Sequence, residues 1–357
     1  MSATILDVAK LANVSAGTVS RVLNEHPAVS AENRERVRAA IAELNYAPKQ
    51  RKASMADLNP LEGKTILLLT LGMDRSLSSL PVVASAIDGV EQALNRARAN
   101  LLVTNLPSAD RLPELFDRKR IDGVILKGAL QGDLIRQTHP GLIAALRQRP
   151  VVWVLGRPEG FWGDVVQVND MRVGQLAADH LIARGHTNLA FLSPKPSQVT
   201  LQRREASFTF FATQGGARVR SYLGSDQDWT FPSAAVNHVD LVDHLATRIL
   251  DEYDRPTAIF APDDSIGAMV ARALSARNLR IGQEISLMSC NNEQPLLMGI
   301  YPAMTTIDVR AAQIGRLAVD QLTWRMMHAD APAVDIGVEP LLVEGESVTR
   351  VGQPVAV

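Results

Sequence analysis

Thr4-Ile5-Leu6-Asp7-Val8-Ala9-Lys10-Leu11-Ala12-Asn13-Val14-Ser15, continued after two residues by Thr18-Val19-Ser20-Arg21-Val22-Leu23-Asn24, reads as two short helices joined by a tight turn. Thr4 is a good N-cap, and Asp7 stands three residues later, where its carboxylate can reach back as in a capping box. Ile5, Val8, Ala9 and Ala12 then share one helical face. Asn13 tolerates the left-handed backbone that a tight turn requires. Ser15 caps the second helix, which turns Val19, Val22 and Leu23 inward and stops before Pro27. Ser30 opens a third helix with Val37, Ile41 and Leu44 on one side. Two helices around a tight turn, backed by a third, match a helix-turn-helix unit. Such a unit lays its second helix in the DNA major groove, and the outward residues there are Ser15, Ala16, Gly17, Thr18, Ser20 and Arg21. Small side chains allow close approach to base edges, and Arg21 can give guanine a bidentate contact. A generic three-helix bundle with solvated charges is the other reading of this pattern.

These residues closely resemble the DNA-binding signature of the LacI (lactose repressor) family of bacterial transcription regulators. Val29-Ser30, Arg34-Glu35-Arg36-Val37 and the run from Ala40 to Pro48 extend the match. The resemblance implies DNA contacts from Thr4, Ser15, Ala16, Gly17, Thr18, Ser20, Arg21, Asn24, Ser30, Tyr46, Lys49 and Arg51. In that family a hinge helix follows the Tyr-x-Pro and wedges an apolar side chain into the minor groove, which would fall to Met55 here. Lys49 in place of the common Asn and the acidic Asp57 depart from the pattern. Because family members vary at positions 16 and 17, Ala16-Gly17 implies readout by close packing and thymine-methyl contact. A two-fold dimer on a pseudo-palindromic operator is the expected geometry.

Whole-chain charge conceals this head. The 357 residues carry a formal net charge of -1, yet eight basic residues face five acids before residue 53, leaving +3 there and -4 on the rest. A small basic domain on a larger acidic one suits a nucleic-acid binder. A hydrophobic fraction of 46% in a chain of this length supports two or three folding units. No apolar run approaches a membrane span. Met1 to Asp7 lacks the basic-then-apolar pattern of a signal peptide, so a cytoplasmic location is expected. The one cysteine, Cys290, excludes intramolecular disulfides and fits a reducing compartment.

From residue 63 short apolar runs alternate with amphipathic helices. Strands are predicted at Ile66–Leu71, Leu101–Thr104, Val124–Leu126, Val151–Leu155, Val165–Val168, Leu189–Leu192, Ala258–Phe260, Ile285–Ser289 and Thr305–Ile307. Helices are predicted near Val82–Ala97, Leu142–Arg147, Met171–Arg184, Arg204–Thr213, Val239–Tyr253, Ser265–Arg277 and Val309–Met327. This alternation implies parallel sheets covered by helices on both faces, and nearly 300 residues suggest two lobes. The expected fold is therefore multidomain: an all-α helix-turn-helix head (1–46), a hinge helix and linker (47–62), and a two-lobed α/β effector-binding and dimerisation domain (63–357). The resemblance implies a domain like the periplasmic sugar-binding proteins, with crossings near residues 160, 291 and 324. Lobe one is then about 63–160 with 292–324, and lobe two about 161–291 with 325–357.

Open α/β sheets bind ligands beyond the carboxyl ends of their strands. Carried over one position at a time, the resemblance implies an effector pocket from Ser79, Leu80, Lys127, Arg204, Trp229, Asp264 and Asn291. Arg204 opens the pattern Arg204-Glu205-Ala206-Ser207-Phe208, with Ser207 in place of the usual Gly, and its fork suits hydroxyls or a carboxylate. Trp229 follows Asp228 where an aromatic plate for a sugar ring is expected. Ala261-Pro262-Asp263-Asp264 stands at a strand end, and Asn291-Asn292 takes the place of a common Asp-Asp. Each residue also has a plain structural reading: Trp229 covering a loop, Lys127 solvated, Arg204 in an inter-helix ion pair.

Gly63-Lys64-Thr65 lacks the first glycine of a phosphate-binding loop, and no nucleophile elbow, dinucleotide fingerprint or His-Glu-x-x-His zinc motif is present. No cofactor or metal is therefore expected. The functional expectation is a non-enzymatic DNA-binding regulator, most simply a repressor. Its effector would be a sugar or sugar derivative, with a nucleobase as the lesser option. A sugar-binding protein without DNA binding is the alternative on the same core fold, and an α/β enzyme is a third reading. The tail from Val348 to Val357 shows no leucine heptad, which favours a homodimer over a coiled-coil tetramer.

Overall fold

The computed structural model describes residues 3–23, 29–44, 46, 59–75, 80–118, 120–130, 132–225 and 238–352. The chain forms two compact units, Met1–Asn59 and Pro60–Val357.

In the first unit the capping residues place three helices, α1 (Ile5–Leu11), α2 (Ala16–Leu23) and α3 (Ala31–Glu43). Asp7 Oδ2 accepts from the Thr4 amide at 2.8 Å, and Thr4 Oγ1 accepts in return from the Asp7 amide at 3.3 Å. Asn13 adopts φ of 51°, the left-handed turn between α1 and α2. Ser15 Oγ accepts from the Thr18 amide at 3.1 Å and Ser30 Oγ from the Asn33 amide at 3.4 Å. Val8, Ala9, Ala12, Val19, Val22, Val37 and Ala40 form the core, with Ile5, Leu23, Ile41, Leu44 and Tyr46 packed at its margin. The expected stop at Pro27 lies outside the described residues.

The second unit is built on two parallel sheets. Lobe one contains β1 (Thr65–Leu71), β2 (Asn100–Leu106), β3 (Gly123–Gly128), β4 (Val151–Val154) and β5 (Asp164–Val168). Lobe two contains β6 (Asn188–Ser193), β7 (Arg218–Leu223), β8 (Ala258–Phe260) and β9 (Ser286–Met288). Next come β10 (Thr306–Asp308), β11 (Asp335–Val338) and β12 (Leu341–Val343). The sheet orders are β11-β5-β4-β3-β1-β2 and β7-β6-β8-β9, while β10 and β12 pair antiparallel beside lobe two. Apolar runs buried on both faces are what parallel sheets under helices demand.

Two corrections to the expected layout follow. First, β5 belongs to lobe one, because Val152, Trp153 and Val154 of β4 register with Asp164, Val165 and Val166. Buried Asp164 fixes it there, accepting from Arg325 Nη2 at 2.6 Å, Gln321 Nε2 at 2.7 Å and the Val334 amide at 2.8 Å. The helix Ala311–Met327 and strand β11 are thereby lobe-one elements too. The chain crosses between lobes after Val168, between Asp308 and Ala311, and between Val338 and Leu341, not near 160, 291 and 324. Second, β7, β11 and β12 were not among the expected strands. Exposed Arg218 and half-buried Arg220 break the apolar run of β7, and Gly337 interrupts β11.

The helices Pro81–Arg96 and Ala311–Met327 lie in close contact on lobe one. A Cβ on Gly89 would stand 2.0 Å from the Ala312 carbonyl oxygen, and one on Gly315 the same 2.0 Å from that of Ala86. Only glycine permits this backbone approach. In lobe two, Phe191, Phe208 and Phe260 pack as a ring cluster, with Phe208 and Phe260 centroids 5.0 Å apart. One core runs through both lobes, from Ile66, Val90 and Ile125 to these rings.

Candidate functional site

In the first unit the described residues expected to face DNA are exposed or half-buried. Ser15, Gly17 and Arg21 are exposed on and before α2, and Ala16 and Thr18 are half-buried. A Cβ on Gly17 would meet only Ser15 Oγ, at 3.7 Å, so the surface there is open. The hydroxyls of Thr4, Ser15 and Ser30 cap their helices and lie exposed at the helix N-termini, where backbone amides favour an anion. Tyr46 is half-buried against the core of the head. Asn24, Lys49, Arg51 and Met55 lie outside the described residues, as does the side chain of Ser20.

In the second unit Arg204 is the centre of the site. It stands on the helix Val199–Gln214, only 3% exposed. Its Nε donates to Asp170 Oδ1 at 3.0 Å, and its Nη1 to the Pro262 carbonyl at 2.6 Å and Asn291 Oδ1 at 3.0 Å. Among the described residues Nη2 has no protein acceptor. Asp170 follows the carboxyl end of β5, so Arg204 is gripped where the chain leaves lobe one. Burial raises the Asp170 carboxyl above its ordinary value, while the facing Arg204 opposes that rise. Burial pushes the neighbouring Cys290 thiol well above the usual range and leaves it protonated and inert.

Asn291 pairs with Asp308 in an isolated β-bridge, with Asn291 and Asn292 at φ of 113° and 58°. Its Nδ2 donates to Glu293 Oε2 at 3.3 Å, and Glu293 Oε1 accepts from the Val82 amide at 3.0 Å. Val82 is the second residue of the lobe-one helix Pro81–Arg96, so this contact joins the lobes. Burial, reinforced by the nearby Asp263 carboxylate, pushes the Glu293 carboxyl up to about 7. Hydrogen bonds from Arg204 through Asn291 and Glu293 to Val82 thus form an unbroken path.

Asp264 sits behind this path rather than on its surface. It is wholly buried and accepts from Ser289 Oγ, from Thr306 Oγ1 at 2.8 Å and from the Glu293 amide at 2.6 Å. Burial raises it to about 6 despite those donors. Asp263 caps the next helix through the Ile266 amide at 2.7 Å. Leu80 is half-buried and supplies its carbonyl to the Val83 and Ala84 amides. Lys127, at the end of β3, is buried. Ser79 and Trp229 lie outside the described residues.

The structure therefore brings Arg204, Asn291 and, one step behind, Asp264 together. Asp170 and Glu293 were missed by sequence reasoning. The Asn169-Asp170 pair at a strand end was the available sign of the first. Glu293 gave none, since its importance comes from a contact more than 200 residues away. Among the described residues no cluster of His, Cys, Asp and Glu could hold a metal, and no helix is long and apolar enough to cross a membrane.

A helix-turn-helix head followed by a two-lobed domain with a buried polar network between its sheets is the arrangement of a ligand-linked DNA-binding regulator. Residues 4–49 match the family model of bacterial regulatory proteins of the lacI family, and residues 178–348 match that of a periplasmic binding protein-like domain. The chain thus carries both domains of LacI-family regulators in their order, and the relatives it matches along its length are DNA-binding transcription repressors. It is 29% identical over 353 residues to the HTH-type transcriptional repressor PurR of Mannheimia succiniciproducens, covering 98% of this chain and 99% of that one. The ribose operon repressor of Haemophilus influenzae is 28% identical over 350 residues, covering 97% and 98% of the two chains. The lac repressor dimer bound to operator and the anti-inducer ONPF shares the fold at a TM-score of 0.63, with 22% identity over 98% of this chain and 100% of that chain.

Proposed function

We propose that this protein is a cytoplasmic, homodimeric transcriptional repressor whose operator affinity is set by a carbohydrate-derived effector held between the lobes. The path from Arg204 through Asn291 and Glu293 to the Val82 amide carries this reading. A ligand that takes up the free Nη2 of Arg204 perturbs the same guanidinium that holds Asn291, and Asn291 holds the residue that ties the lobes. Binding energy at the cleft is thereby convertible into lobe orientation. The ribose operon repressor and PurR among its relatives support repression, and the former supports a sugar. The pseudo-palindromic operator, the wedge role of Met55 and the contacts of Lys49, Arg51 and Asn24 belong to the same proposal.

Fluorescence anisotropy with a duplex selected from a random-sequence pool tests the DNA half. The full chain is expected to bind one duplex far more tightly than random DNA. A chain lacking residues 1–58 is expected to lose that preference, and its retention would contradict the proposal.

Glu293 gives a pH prediction. Its folded value of about 7 lies above the ordinary 4.5, so the folded state holds an extra proton between those values. Stability is therefore expected to fall as pH rises from 4.5 through 7, by at most about 3 kcal/mol. Over the same range the Val82 amide gains a charged acceptor. Its nuclear magnetic resonance shift should titrate with a midpoint near 7 in the native chain and stay flat in Glu293→Gln. A flat Val82 shift in the native chain would remove Glu293 from the interlobe path.

A further inference from the structure

Lys127, Arg204 and Arg325 are the buried lysine and arginine side chains of the lobes among the described residues. Arg204 pairs with Asp170 at 3.0 Å and Arg325 with Asp164 at 2.6 Å. Among the described residues Lys127 has no carboxylate within reach: its Nζ donates to the Gly128 carbonyl at 2.8 Å, and burial alone lowers its affinity for the proton. Burying a cation without a counter-charge is costly, and a chain that keeps one has a use for it.

The position of Lys127 indicates that use. Gly128 is the last residue of β3, so the ammonium lies at the carboxyl edge of the lobe-one sheet. That edge is where parallel sheets receive ligands. Strand β5, whose continuation supplies Asp170 to Arg204, stands one strand away from β3, about 10 Å across the sheet. A molecule of monosaccharide size spans such a gap. The acids around Arg204 already have partners: Asp170 holds Arg204, Asp264 takes three donors, Glu293 takes Val82 and Asn291, and Asp263 caps a helix.

We propose that the cleft ligand carries an acid group, a carboxylate or a phosphate, that supplies the missing counter-charge of Lys127 while its hydroxyls engage Arg204 and Asn291. This rests on the reading of the cleft as the effector site and narrows it from neutral sugars to sugar acids or sugar phosphates. A neutral polyol would bring the ammonium no counter-charge.

Thermal unfolding of the full chain tests this, with D-gluconate, D-glucose 6-phosphate and D-glucose as probes at matched ionic strength. Without a probe, Lys127→Met is expected to melt about 2–4 °C above the native chain, because an unpaired buried charge is replaced by an apolar chain of similar length. An acid probe is expected to raise the Tm of the native chain and not that of Lys127→Met, with the responding probe separating carboxylate from phosphate. Lower melting of Lys127→Met overturns the proposal, as does an equal acid-probe increment in both chains or none in either. If D-glucose gives a shift that Arg204→Lys abolishes and Lys127→Met preserves, the cleft reading stands and the acid group alone is refuted. If no probe shift depends on Arg204, the cleft reading itself fails.

Discussion

Replacing Arg204 with alanine is expected to cost about 3–5 kcal/mol of folding stability, because it leaves Asp170 buried without its cation. Asp170 and Arg204 are 8% and 3% exposed, so water cannot take the place of the lost partner. The Asn291 side-chain oxygen and the Pro262 carbonyl lose their donor in the same step. Asp170 already sits above the ordinary carboxylate range, and losing Arg204 drives it higher. The variant's deficit should accordingly grow as pH rises, since ionising a buried, unpaired acid becomes steadily more costly. The double variant Arg204→Met with Asp170→Leu removes both charges and should recover more than half of the loss. Urea denaturation of the two single variants and the double one checks this. Additive losses, or a single-variant loss under about 1 kcal/mol, would show that the pair is not a buried bridge.

Gly174→Val is expected to be nearly as damaging, through geometry rather than charge. Gly174 lies one turn along from Asp170 on the helix Asp170–Ile182, and Ser207 lies three residues beyond Arg204 on the facing helix. A Cβ at Gly174 would stand 1.9 Å from Ser207 Oγ and 2.4 Å from the Phe208 backbone nitrogen. Backbone cannot yield as a side-chain tip does, so the helices must part. Overpacking of this kind costs about 1–3 kcal/mol, and the upper end applies where backbone is struck. Parting these helices also draws Asp170 away from Arg204. The variant should therefore melt lower and show a weakened Asp170–Arg204 coupling in the double-variant cycle. A thermal melt unchanged from the native chain would mean that the helices have slack.

Much of this architecture is legible in the sequence because it is encoded locally. Thr4 with Asp7, Ser15 and Ser30 mark helix starts through their own short-range hydrogen bonds, and Asn13 marks the turn. The central strands are legible because burial on both faces leaves an unbroken apolar run, as in Thr65–Leu71. The lobe boundary was not, for a physical reason. The residues of β5 suit either sheet, and only pairing with β4 and the hub at Asp164 assign it. Edge strand β7 is hidden by arginines that its exposed side tolerates. In the cleft, Arg204 and Asn291 are legible through the family pattern. Asp264 carries the same signal but serves as the brace behind them, because three donors occupy it. Glu293 becomes important only once folding brings it to Val82.

The central claim is that ligand binding in the cleft changes DNA affinity. It is tested most directly by measuring Kd for the selected duplex with and without a saturating ligand that stabilises the native chain and not Arg204→Lys. Linkage between two such sites amounts to about 1–3 kcal/mol, so a change of about 5- to 150-fold is predicted, in either direction, and it should shrink in Glu293→Ala. An unchanged Kd at saturating ligand would contradict the account.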